Sequence, residues 1–193
     1  MLLKWIMCRV ADRAAFDRGQ RAWAGLRGVP GFLGQGGGWG RREPGLAHVF
    51  GCWADRRSYE EFMAAEHDRM APAQAGTYNE ITADVFERRC DVGGPFPAGF
   101  ADASVVRLAH CRVHPAEVWN RAMIGAPGML CGVLAKRDES EFLVLTLWRS
   151  AAGHERLLGE RFLALRQRSG AAHDLDRFTA DVIKLEPAWT VLS

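Results

Sequence analysis

Apolar and polar positions along this chain fall into short blocks whose period switches between that of a strand and that of a helix. Leu2 to Val10 is an apolar run that reads as a strand, although its length suits a short helix as well. Beyond Asp12, whose carboxylate can accept a backbone N–H of a first turn, Ala15, Phe16, Gly19, Trp23 and Leu26 recur at helical spacing. Gly28 and Pro30-Gly31 end that helix. Phe32 to Trp39 and Ala47 to Trp53 follow as strands on either side of the charged turn Arg41-Arg42-Glu43-Pro44-Gly45. The first of the two carries Gly34, Gly36, Gly37 and Gly38, which mark a bulge or a close approach to the backbone. Asp55 and Ser58 are candidate caps for a second helix, Tyr59 to Met70, with Tyr59, Phe62, Met63 and either Glu66 or His67 on one side. Pro72 ends it, and Ile81 to Phe86 forms a last strand. The order strand, helix, strand, strand, helix, strand is the split βαβ of the ferredoxin-like motif.

The pattern then returns. Ile81-Thr82-Ala83-Asp84-Val85 is matched 97 residues later by Phe178-Thr179-Ala180-Asp181-Val182. Cys8-Arg9-Val10 matches Cys111-Arg112-Val113, Pro30-Gly31-Phe32 matches Pro127-Gly128-Met129, and Trp53 matches Trp148. The second set of elements falls at Val105–Val113, Ala116–Ile124, Met129–Lys136, Glu141–Trp148, Ala152–Arg168 and Phe178–Leu185. The sequence therefore predicts a first repeat over residues 1–90, a linker over 91–104 around Gly93-Gly94-Pro95-Phe96-Pro97, and a second repeat over 105–193. Each repeat would place helices on one face of a four-stranded sheet, and the other face needs a cover. The expected fold is α+β: two tandem ferredoxin-like repeats whose antiparallel sheets pack into an intramolecular dimeric α/β barrel.

Composition narrows the function classes. With 25 basic and 23 acidic residues the chain lacks the clustered positive charge of a nucleic-acid binder, so no nucleic-acid partner is expected. No apolar run is long enough to span a membrane, and the N-terminus does not read as a secretory signal. Five cysteines without CxxC or zinc-like spacing predict reduced, mostly buried thiols and a cytoplasmic protein. No metal site is expected, because His48 and His67 with scattered carboxylates show no ligand spacing. Gly36-Gly37-Gly38 lacks the order and the following helix of a nucleotide loop.

Pro30-Gly31-Phe32, and the run that joins Trp53, Tyr59, Phe62 and His67, resemble the antibiotic-biosynthesis-monooxygenase group of dimeric α/β-barrel proteins. Leu3-Lys4-Trp5-Ile6, Gly31-Phe32-Leu33-Gly34-Gln35, Gly37-Gly38-Trp39 and His67-Asp68-Arg69 look more narrowly like the YdbC-like proteins. The wider group includes cofactor-independent oxygenases of polycyclic phenols and haem-degrading oxygenases, with the pocket between sheet and helices. The haem degraders use an Asn, a Trp and a His. Here the matching Trp position is Phe62, and the first strand holds no Asn.

The resemblance implies a small-molecule enzyme, a cofactor-independent monooxygenase acting on an apolar or phenolic substrate. Isomerisation or cyclisation through deprotonation of the same substrate fits the sequence equally well. The alternatives to an enzyme are a protein that binds haem or another hydrophobic ligand, and a non-catalytic scaffold. His67 is the candidate catalytic base; it also reads as the polar end of a helix, where histidine suits the helix dipole. Its counterpart in the second repeat is Phe162, which makes the first repeat the working one. Trp5, Trp39 and Phe62 match Leu108, Lys136 and Leu157, so these one-copy aromatics are candidates to stack on a flat ligand or to fill a core. Trp23 and Trp53, with counterparts Trp119 and Trp148, read as packing. His48, Tyr59 and Met63 complete the candidate substrate contacts, although the place of His48 beside the turn favours a strand end. The expected state is a monomeric pseudo-dimer, with further homodimerisation open.

Overall fold

The computed structural model describes residues 1–112, 126–160 and 177–193. The chain divides into two compact units: Met1–Val85 together with Ile183–Ser193, and Phe86–Val182. The predicted helix Ala116–Ile124, Trp119, Phe162 and the C-terminal part of the predicted helix Ala152–Arg168 lie outside the described residues.

In the first unit β1 (Leu2–Val10) is followed by α1 (Arg13–Arg21), β2 (Phe32–Gly40), β3 (Leu46–Trp53), α2 (Arg56–Ala65), the short α3 (His67–Met70) and β4 (Tyr78–Val92). The sheet runs β4-β1-β3-β2, the strand order of a ferredoxin-like unit. β1 pairs with β3 antiparallel from Leu2↔Trp53 to Arg9↔Leu46. The residues after Val182 belong to this unit. The end of β8 (Arg177–Leu185) pairs with β2 at Gly38↔Leu185, and β9 (Val191–Leu192) pairs with it at Gly34↔Leu192.

The glycines of β2 serve both purposes the sequence left open. The β2–β3 register slips between Phe32 and Gly34, which makes Leu33 the extra residue of a bulge. Gly38 sits where a side chain would have no room: a Cβ there would stand 1.9 Å from the carbonyl oxygen of Lys184.

Local capping chemistry sets the helices. Asp12 caps α1, its carboxylate accepting from the Ala15 N–H at 2.9 Å. Asp12→Ala should cost about 1 kcal/mol, visible as a lower urea midpoint with an unchanged slope; an unchanged midpoint would mean solvent replaces the cap. Asp55, rather than Ser58, caps α2 by accepting from the Ser58 N–H at 2.8 Å. The single helix predicted over Tyr59 to Met70 is broken. α2 ends at Glu66, whose N–H donates to the Phe62 carbonyl, and α3 restarts at His67. The His67 ring thereby meets both Trp23, with centroids 5.7 Å apart, and Phe62, at 6.1 Å.

The core of this unit lies between sheet and helices in two clusters. One gathers Leu2, Leu26, Phe32, Trp53 and Phe62. The other gathers Cys8, Phe16, Trp39, Val49 and Trp189, the last donating its indole N–H to Asp17 at 2.8 Å.

The second unit contains β5 (Val105–Arg112), β6 (Met129–Lys136), β7 (Glu141–Trp148) and α4 (Ala151–Glu160), with the first part of β8 beside β5. Its registers repeat those of the first unit. Val105↔Trp148 corresponds to Leu2↔Trp53, and the β6–β7 slip between Met129 and Cys131 corresponds to the β2–β3 slip. The outer edge of β6 takes the end of β4, Glu87–Val92, as the outer edge of β2 takes the end of β8. The strand predicted to stop at Phe86 therefore continues to Val92. The segment read as a linker is packed: Phe96 and Phe100 are buried around a 3-10 turn at Pro97–Ala101 and stack edge to face at 5.2 Å.

Candidate functional site

Alternation along the strands decides which residues reach the helix-covered face of the first unit. On β1 that face carries Leu2, Lys4, Ile6 and Cys8; on β3 it carries Ala47, Val49, Gly51 and Trp53. Above it lies a cavity of about 380 Å³ roofed by α1, α2 and α3. Trp23, Phe32, Trp53, Tyr59, Phe62 and Tyr78 give it aromatic walls, with Ile6, Leu26, Met63 and Ile81 between them.

The polar groups in this setting are few. Gln74 donates to Gln20 and accepts from the Trp23 indole, both at 2.8 Å, so these amides are satisfied and fixed. His67 lies at the wall with Nδ1 2.9 Å from the Asp68 carboxylate. When Nδ1–H donates there, Nε2 keeps the lone pair that a base requires. Lys4 reaches into the cavity, its ammonium donating to Met63 Sδ at 3.7 Å and lying 5.1 Å from the centre of the Tyr59 ring. Among the described residues no carboxylate lines the cavity. Burial with no compensating anion pushes the Lys4 amine down to about 8. Burial also raises Tyr59 above the usual phenol range and pushes the Cys8 thiol up to about 12.

Of the candidates named from sequence, the structure brings His67, Tyr59, Phe62 and Met63 together around this cavity. It does not bring Trp5, His48 or Trp39 there. Trp5 and His48 occupy the opposite face of the sheet, one residue out of phase with Lys4 and Val49. They stack on each other, the indole N–H donating to His48 Nδ1 at 3.2 Å. Trp39 shares the cavity's face but lies further along it, against Phe16 and Trp189 and beneath the Arg13 guanidinium. The sequence reading missed Lys4. Its signal was present: a lone charge in the apolar run Leu2 to Cys8, in phase with Ile6 and Cys8.

Ionisation of the half-buried Lys4 and of the buried thiols sets how stability responds to alkali. Lys4 stays charged to about pH 8 in the fold but to its ordinary 10.5 in the unfolded chain. Over that window the unfolded chain binds more protons, and stability rises with pH. Cys8, at about 12, and Cys111 and Cys131, at about 11, act in the opposite sense. Above their ordinary 9.0 the unfolded chain gives up protons that the fold retains, and stability falls. Melting temperature should therefore peak at about pH 9, and the rise below the peak should disappear in Lys4→Met. A profile that is flat from neutrality to pH 10 would contradict both assignments.

Comparison with known proteins follows the same division of the chain. Residues 2–86 match the family described as a domain of unknown function, DUF4937. The uncharacterised protein YdbC of Bacillus subtilis (strain 168) is 39% identical over 72 residues, 35% of this chain, which spans 60% of that relative's length. The resemblance seen in the sequence holds. Among solved structures, a candidate monooxygenase from Lactobacillus acidophilus NCFM superposes with a TM-score of 0.73 at 11% identity, over 99% of this chain and 95% of its own. An anthrone oxidase-like protein superposes with a TM-score of 0.66 at 12% identity, over 96% and 91%. At these identities the likeness is one of fold: the chain carries the fold of monooxygenase-like proteins. Among the described residues no helix is long and apolar enough to cross a membrane.

Proposed function

We propose that the first unit binds an apolar, aromatic small molecule in its cavity and oxygenates it without a prosthetic group, with His67 as the base. One observation carries this reading: a cavity of about 380 Å³ walled by aromatic rings, with a histidine at the wall and no carboxylate among the described lining residues. A phenol or an enolisable ring ketone fits that inventory. Removal of its proton by His67 Nε2 leaves an electron-rich anion, whose ring carbon reduces O₂ and bonds to it as a peroxide. Loss of water from the peroxide leaves one oxygen atom on the ring as a carbonyl and releases the other as water. The protein supplies orientation, a dry site and stabilisation of the anion. Two solved structures of the same fold, described as a candidate monooxygenase and as anthrone oxidase-like, support the chemistry by analogy. The second unit serves as a structural partner.

The test is oxygen uptake by the purified chain with anthrones, naphthols and naphthoquinols, with product analysis under ¹⁸O₂. Incorporation of one labelled atom per turnover is expected. Saturable binding without oxygen uptake would leave a ligand-binding protein. Absence of both would leave a scaffold.

A further inference from the structure

The cavity contains a cation that the proposed reaction does not use. Lys4 stands on the cavity face of β1 opposite Gly51, in register with two residues that bear only hydrogen beyond the backbone or a plain methyl-bearing chain: Gly51 across the ladder and Ile6 along the strand. Its neighbours are the Met63 sulfur and the face of Tyr59, neither of which carries a negative charge. A lysine in such surroundings is costly unless something anionic joins it.

The second unit makes the position informative. Register for register, Leu2↔Trp53 and Lys4↔Gly51 correspond to Val105↔Trp148 and Arg107↔Thr146. Arg107, only 8% exposed, is thus a second cation at the equivalent strand position, more deeply buried than the half-buried Lys4. Sequence has diverged elsewhere on these strands, Trp5 against Leu108 and Ile6 against Ala109, yet the positive charge stands in both. A cation that merely filled space would be replaced at little cost by the apolar residues that surround it. In the first unit, where the lining residues are described, the unmatched charge faces a cavity large enough for a ligand of two fused rings.

We propose that Lys4 is the seat for an oxyanion on the ligand, so that the first unit selects flat aromatic anions, carboxylates or phenolates, over neutral aromatics of the same size. This rests on reading the cavity as a ligand site, and it names the substrate class. The ammonium pairs with the oxyanion while the rings lie against Tyr59, Phe62 and Trp53. The pair forms where water is scarce, which makes it strong and discriminating. Lys4 then acts as a specificity residue, beside the base at His67.

The experiment measures binding of naphthoate, naphthol and naphthalene by tryptophan fluorescence and calorimetry, in wild type, Lys4→Met and Lys4→Arg. Naphthoate should bind wild type at least about tenfold more tightly than naphthalene, lose that advantage in Lys4→Met and keep most of it in Lys4→Arg. Naphthalene should bind all three alike. Wild-type affinity for naphthoate should fall as pH rises through about 8, where the ligand-free amine gives up its proton. A merely structural role for Lys4 would produce no such pH dependence. Unliganded Lys4→Met should melt higher than wild type, because a half-buried charge without an anionic neighbour is gone, which separates lost binding from lost folding. Preference for naphthoate over naphthol at neutral pH identifies a carboxylate seat, and the reverse order identifies a phenolate seat. Equal binding of naphthoate and naphthalene by wild type, or undiminished naphthoate binding in Lys4→Met, overturns the proposal, as does failure of all three compounds to bind. Lys4-dependent naphthoate binding without oxygen uptake from any phenol would overturn the oxygenase reading and leave the anion seat standing.

Discussion

Gly38→Ala is expected to destabilise the protein by about 3 kcal/mol or more, whereas Gly45→Ala leaves it unchanged. The contrast is steric. The Cβ of Gly38 would fall 1.9 Å from the Lys184 carbonyl oxygen and 2.8 Å from the Leu185 Cα, both backbone atoms that cannot rotate aside. Either the β2–β8 pairing at Gly38↔Leu185, Trp39↔Lys184 and Gly40↔Ile183 opens, or β2 buckles against β3. Opening it would also loosen Trp189 from Phe16 and Trp39. At Gly45 an added Cβ meets nothing within 4 Å. Urea melts of the two variants followed by tryptophan fluorescence decide the matter. Coincident midpoints would show that the β2–β8 contact is looser than its geometry.

The second large effect concerns turnover. His67→Ala should lower oxygen uptake with the best phenol by about 10²- to 10⁴-fold, the usual worth of a positioned base, with little change in ligand affinity. His67→Gln, which keeps a polar group but no base, should be as slow. The split between turnover and binding matters because His67 also touches Trp23 and Phe62. A variant that lost binding and turnover together would point to cavity collapse instead. Undiminished turnover would remove His67 from the reaction and leave it the polar start of α3.

Much of the fold could be read from the chain because period and punctuation agreed. Asp12 capped the helix it preceded, and the Trp53 and Trp148 runs became the paired strands. The break at Glu66 was not legible. Tyr59 to Met70 has no proline or glycine inside it, and the contacts His67 makes with Trp23 come from another element. The site was half legible for a related reason. Tyr59, Phe62 and Met63 follow helical spacing, which shows a face without showing what it covers. Trp5 and His48 attracted notice as aromatic or titratable types, but strand parity puts them on the opposite face. The same parity would have selected Lys4, had chemistry been ranked by phase with Ile6 and Cys8 rather than by residue type.

Trp189 has a consequence for how the molecule is made. It closes a cluster built from Cys8, Phe16, Trp39 and Val49, and in sequence it follows the whole of the second unit. The first unit therefore starts before the second and is completed after it: its strands can form early, yet one end of its core stays open until residues 183–193 emerge. The cavity-bearing half must wait, with an exposed β2 edge and an unfilled aromatic nest, through synthesis of everything between. Its maturation is governed by the arrival of residues 183–193, and a stall or cut just before them would be felt first at the Phe16–Trp39 core of the first unit.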